Sequence, residues 1–105
     1  MGVFSHWIEA GTVVEFAETD RKMISVDEQP FLLVKVDKEF FAVSSMCTHA
    51  QAMMIGGTIE GFELECPLHG ARFDVRDGSV LSPPATRGLK TIAVKVVDGK
   101  IMVRG

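Results

Sequence analysis

From Thr91 to Val96 the chain alternates strictly, with Ile92, Val94 and Val96 on one side of an extended segment and Thr91, Ala93 and Lys95 on the other. Asp98-Gly99 then supplies a two-residue turn before Ile101 and Val103, so the sequence predicts a hairpin there. Shorter extended segments are predicted over residues 13–16, 23–26, 31–36, 40–43, 58–60, 62–65, 73–75 and 80–81, with turns at Asp37-Lys38, Glu60-Gly61 and Asp77-Gly78. No stretch repeats apolar residues at three-to-four spacing behind a capping residue, so no helix is predicted. Many short strands close together predict an all-β fold, a small antiparallel β-sandwich or barrel. Trp7, Phe31, Phe40 and Phe73 are expected in its core, since no basic stripe accompanies them to make stacking platforms.

Three stretches break the alternation. Residues 44–57 contain Cys47-Thr48-His49, then Met53-Met54 and Gly56-Gly57, and residues 66–71 begin Cys66-Pro67-Leu68-His69-Gly70. The third, Ser82-Pro83-Pro84-Ala85, is no central strand because neither proline can donate to a ladder.

At 105 residues the chain is expected to form one domain, residues 1–105, with room for one small core. A hydrophobic share of 47% and a charged share of 24% are those of an ordinary globular protein. The net charge of −3 argues against a nucleic-acid partner. The longest aliphatic or aromatic run, residues 31–34, is too short to cross a membrane, and Met1 to Ala10 lacks the basic start and apolar stretch of a secretory signal. A cytoplasmic location is therefore expected. Three histidines, His6, His49 and His69, leave no second set for a separate oxygenase iron once two are committed to one site. No G-x-G-x-x-G turn offers a dinucleotide site either. The chain is expected to carry no catalysis of its own.

Both cysteines have a histidine close by, in Cys47-x-His49 and Cys66-x-x-His69. Thiolate sulfur and neutral imidazole nitrogen are strong transition-metal ligands, and Pro67 and Gly70 suit a tight loop whose amides turn toward sulfur. On the residues alone, three other readings stand beside a metal cluster. Cys47 and Cys66 could form a disulfide, the four residues could hold one tetrahedral zinc in an interaction module, or the histidines could be surface residues near the cysteines by chance.

The two pairs, followed by Ala71-Arg72-Phe73-Asp74 and the Asp77-Gly78 turn, resemble the cluster-binding loops of Rieske proteins. The likeness is greatest to Rieske-type ferredoxins of multicomponent aromatic-ring dioxygenase systems, and it runs from Trp7-Ile8 to the final hairpin. The resemblance implies the Rieske form of the β fold, with a cluster-binding subdomain made by loops 44–57 and 66–71. It implies one [2Fe–2S] cluster, with Cys47 and Cys66 on one iron and His49 and His69 on the other. It also implies a one-electron carrier between an NAD(P)H-dependent flavoprotein reductase and a terminal oxygenase that has its own cluster and iron. The small subunit of assimilatory nitrite reductases is the alternative within the same likeness, although many of those subunits lack the four ligands.

Residues 39–70 contain Glu39, Glu60, Glu63 and Glu65 and no lysine or arginine. By the same resemblance, high-potential relatives carry an extra disulfide and hydroxyls aimed at sulfur. Here no cysteine is spare, the chain has no tyrosine, and Ala71 stands where such a serine would be. The expected potential is low for this cluster type, near roughly −150 mV. It should be independent of pH in acid and fall once pH passes the imidazole pKa of the oxidised state. Leu68 is expected to cover the cluster, and the resemblance implies that Pro83 belongs to a third loop packing over it. Met53 and Met54 are expected to shield it, rim a docking face or fill the loop's underside.

Overall fold

The computed structural model describes residues 7–48, 52–68, 70–83, 85 and 87–104. His6, His49, His69 and Pro84 lie outside the described residues. Six strands, β1 Ile8–Thr12, β2 Arg21–Val26, β3 Gln29–Val36, β4 Glu39–Ser44, β9 Thr91–Val97 and β10 Lys100–Arg104, pair antiparallel in the order β1-β10-β9-β4-β3-β2. This sheet curls into a nearly closed barrel. At its seam the Lys22 Nζ on β2 donates to the Ala10 carbonyl on β1 at 3.1 Å and pairs with Glu15. A second antiparallel sheet, β5 Thr58–Glu60, β6 Glu63–Glu65, β7 Arg72–Asp74 and β8 Val80–Ser82, runs in sequence order.

The apolar run on β3 explains how the sheets meet. Phe31 and Leu33 point into the barrel with Phe16, Ala42, Ile101 and Val103. Leu32, Val34 and Val36 point the other way, into a second cluster with Leu64 and Phe73 of the small sheet and Val75 just after β7. A strand covered on both faces has no polar side to alternate, hence its continuous hydrophobicity. Phe41 meets Phe62 edge-on at 5.8 Å across the same boundary. Both cysteines belong to this second cluster, so the site rests where barrel and small sheet share a core.

The predicted turns are present, and Asp37, Gly61, Gly78, Asp98 and Gly99 take the positive φ they require. Another turn, at Asp27 and Glu28 (φ 52° and 66°), joins β2 to β3 without a glycine, so composition did not announce it.

Three expectations change. Val13–Phe16 is a 3-10 turn, not a strand: the Glu15 carboxylate accepts the Thr12 amide at 2.7 Å. The signal was present in Thr12-x-x-Glu15, a capping-box spacing that turns the chain before a strand can form. The strand in this region is the preceding β1, whose Ile8/Ala10 alternation is too brief to stand out. Finally, Trp7 is half-buried on the barrel's outside, with Lys95 Nζ 4.2 Å and the Arg104 guanidinium 5.0 Å from its ring centre. Phe31 and Phe73 are core, and half-buried Phe40 packs edge-on against Phe16 at 5.1 Å.

Candidate metal centre

Residues 44–57 and 66–71 prove to be built alike at their roots. The Cys47 amide donates to the carbonyl of Ala52 at 2.9 Å, and the Cys66 amide to that of Ala71 at 2.7 Å. Each loop is thus closed directly behind its cysteine by a bond to the fifth residue on. The second loop extends the β6–β7 hairpin, whose last rung before it is Glu65 opposite Arg72. Gly70, at φ 74°, takes a left-handed conformation that ordinary side chains resist, which lets so short a loop turn back.

The first loop is longer and is held from outside. The Met54 amide donates to the Ser45 carbonyl at 2.7 Å, and Met46 bridges Met53. From β2, the Arg21 guanidinium donates to the carbonyls of Ile55 (2.8 Å) and Gly57 while Asp20 grips its Nε at 2.7 Å. The Thr48 hydroxyl, between Cys47 and the position of His49, donates to the carbonyl of Arg87. Gly57 packs so closely on the Glu65 carbonyl that a Cβ there would collide with it.

Cys47 and Cys66 are almost fully buried, 4% and 2% exposed, and no disulfide joins them. Burial pushes the Cys66 thiol up, and the adjoining Cys47 side chain adds to the rise, while the Leu68 amide, 3.4 Å from the Cys66 sulfur, opposes it. That amide is aimed at sulfur as the loop composition predicted. Two adjoining cysteines in a dry core, one of them met by an amide that favours its thiolate, fit a site completed by cations. The Ser45 hydroxyl at the first loop's root is also buried, with no hydrogen-bond partner among the described residues. His49 and His69 fall outside the described residues, so the structure places the sulfur half of the predicted set.

Around the loops Met46, Met53 and Leu68 are each exposed by 41–45%, whereas Met54 is fully buried. The methionine pair therefore divides between loop filling and an apolar rim. Pro83 is exposed, and Ala85 is the buried residue of the proline stretch. The acidic character of residues 39–70 is also partly offset in space. Arg72 lies 3.3 Å from both Glu63 and Glu65, whereas Arg21, which caps the first loop, brings its own partner Asp20 at 2.7 Å and adds no net charge. A charge sum over residues 39–70 misses Arg72, because it reaches the segment from outside it.

Known proteins agree with this picture. The Rieske [2Fe-2S] domain family model matches residues 6–93. The ferredoxin component of the naphthalene 1,2-dioxygenase system of Pseudomonas putida is 39% identical over 97 residues, covering 92% of this chain and 93% of that protein. Among solved structures, the ferredoxin of carbazole 1,9a-dioxygenase from Nocardioides aromaticivorans IC177 superposes with a TM-score of 0.88 at 29% identity, over 94% of this chain and 97% of its own. A chain from the complex of reduced oxygenase and oxidized ferredoxin in carbazole 1,9a-dioxygenase gives 0.86 at 30% identity, over 94% and 93%.

Proposed function

Because the chain belongs to the Rieske [2Fe-2S] domain family and carries one cluster of that type, we propose that it is a ferredoxin, a one-electron carrier that serves a terminal oxygenase acting on an aromatic compound. The observation that carries this reading is near-full-length similarity to ferredoxin components of such systems. The solved ferredoxin–oxygenase complex supports the oxygenase as the electron's destination. A flavoprotein reductase drawing on NAD(P)H is the matching source. Residues 1–105 act as one cluster-bearing unit, and the work is cytoplasmic; among the described residues no helix is long and apolar enough to cross a membrane.

Cys47 and Cys66 would hold one iron through sulfur, and His49 and His69 the other through ring nitrogen. When bound, the cluster supplies reversible uptake of one electron. The chain's own contribution is to keep the two sulfurs adjoining and dry, and to direct the Leu68 amide at Cys66. Met46, Met53 and Leu68 offer an apolar rim from which a partner can displace water. The Rieske assignment favours two irons with sulfide over the single zinc that the same donors would accept.

Anaerobically purified protein should be red-brown, contain acid-labile sulfide, and give on dithionite reduction a paramagnetic signal with average g below two. Cys47→Ser and His69→Ala should each abolish that signal. The reduced protein should pass its electron to an oxygenase in rapid-mixing experiments and elute from it separately on size exclusion. A colourless, sulfide-free protein holding one divalent ion would overturn the reading, and inseparability from an enzyme complex would make it a subunit instead.

A further inference from the structure

We propose that Glu65 and Arg72 are opposed tuning charges for the cluster, Glu65 disfavouring and Arg72 favouring uptake of the electron; this rests on the carrier reading above. The two residues are register partners on β6 and β7, and their rung is the one on which the second loop stands. Glu65 precedes Cys66, and its Oε2 lies 3.2 Å from where a Cβ on Gly70 would be, so the carboxylate leans over the loop at Gly70. Arg72 NH2 reaches Glu65 at 3.3 Å, and its NH1 reaches Glu63 at the same distance. One guanidinium shared by two carboxylates leaves the group with a net negative charge at the loop's base.

A one-electron reduction adds one negative charge to the site, so a fixed anion beside the loop opposes it and a fixed cation favours it. These side chains are partly exposed, at 36–47%, so solvent and salt weaken the effect without removing it. Glu63 stands two residues further from Cys66 and should act in the same sense as Glu65, but less.

The test is the midpoint potential of the loaded protein by optical redox titration, at low and high ionic strength. Glu65→Gln should raise it, Glu63→Gln should raise it less, and Arg72→Gln should lower it, with every shift shrinking in high salt. A purely structural latch would behave differently, since breaking the pair from either side would loosen the loop and shift the potential in one common direction. Same-sign or zero shifts for Glu65→Gln and Arg72→Gln would overturn the proposal. Should Arg72→Gln fail to load, Arg72→Lys keeps the charge without the two-pronged contact. Its potential should stay near that of the parent, and a large shift there would count as a latch and overturn the proposal. Absence of the cluster from the parent protein would instead defeat the carrier reading, a separate result.

Discussion

The two cysteine loops share one closing bond and differ in what holds the rest. Loop 66–71 grows out of a hairpin, so its geometry follows from neighbours in sequence: the Glu65–Arg72 rung, the Cys66–Ala71 bond and the left-handed Gly70. Loop 44–57 depends on distant residues, Arg21 on the barrel and the Arg87 carbonyl beyond the small sheet. Short-range constraint costs little loop entropy, whereas a longer loop must be pinned from outside to present its ligands in one arrangement. The difference teaches that equal cysteine–histidine pairs need not be equally self-sufficient.

The largest blow should fall on both loops together. Phe73 is fully buried in the cluster that contains both cysteines, and Phe73→Ala should cost about 4 kcal/mol in denaturant unfolding, with loss of colour. If the colour survived such a loss of stability, the loops would not depend on that shared core. Next, Arg21→Met removes two bonds from a charged donor to loop carbonyls and should cost about 2 kcal/mol. Hydrogen exchange should then accelerate in residues 52–57 and not in 66–71; equal acceleration would mean that both loops depend on the same distant anchor.

Acid should loosen both regions through separate carboxylates. Arg21 beside Asp20 and Arg76 beside Asp74 hold those carboxyls below the ordinary value of 3.8, chiefly by side-chain hydrogen bonds. A carboxyl depressed by folding stabilises the native state above its ordinary pKa and loses that contribution as pH falls through the lower folded value. Unfolding midpoints measured from about pH 5 to about pH 2 should therefore fall, less steeply in Asp20→Asn and in Asp74→Asn. In exchange measurements Asp20→Asn should alter the first loop alone. The smallest effect is the stabilising energy of the Glu65–Arg72 pair, whose exposure limits its double-mutant coupling to about 0.5 kcal/mol. A coupling several times larger would make the second loop depend on a side-chain pair more than on its hairpin.

Sequence alone determined the all-β architecture, most turns, the two loops and the cysteines at their roots, because each is written in neighbouring residues: alternation, Asp-Gly pairs, Cys-x-His and Cys-x-x-His. It mistook Val13–Phe16 for a strand although Thr12-x-x-Glu15 was legible, and it placed Trp7 inside although Lys95 and Arg104 cover it from another strand pair. Only the tertiary structure decided that β3 is buried on both faces, that Arg21 clamps a loop more than thirty positions away, and that Arg72 stands between two glutamates. The reason is physical. A side chain's local preferences act over a few residues, whereas burial, pairing and the field at a site depend on which distant segments fold back beside it.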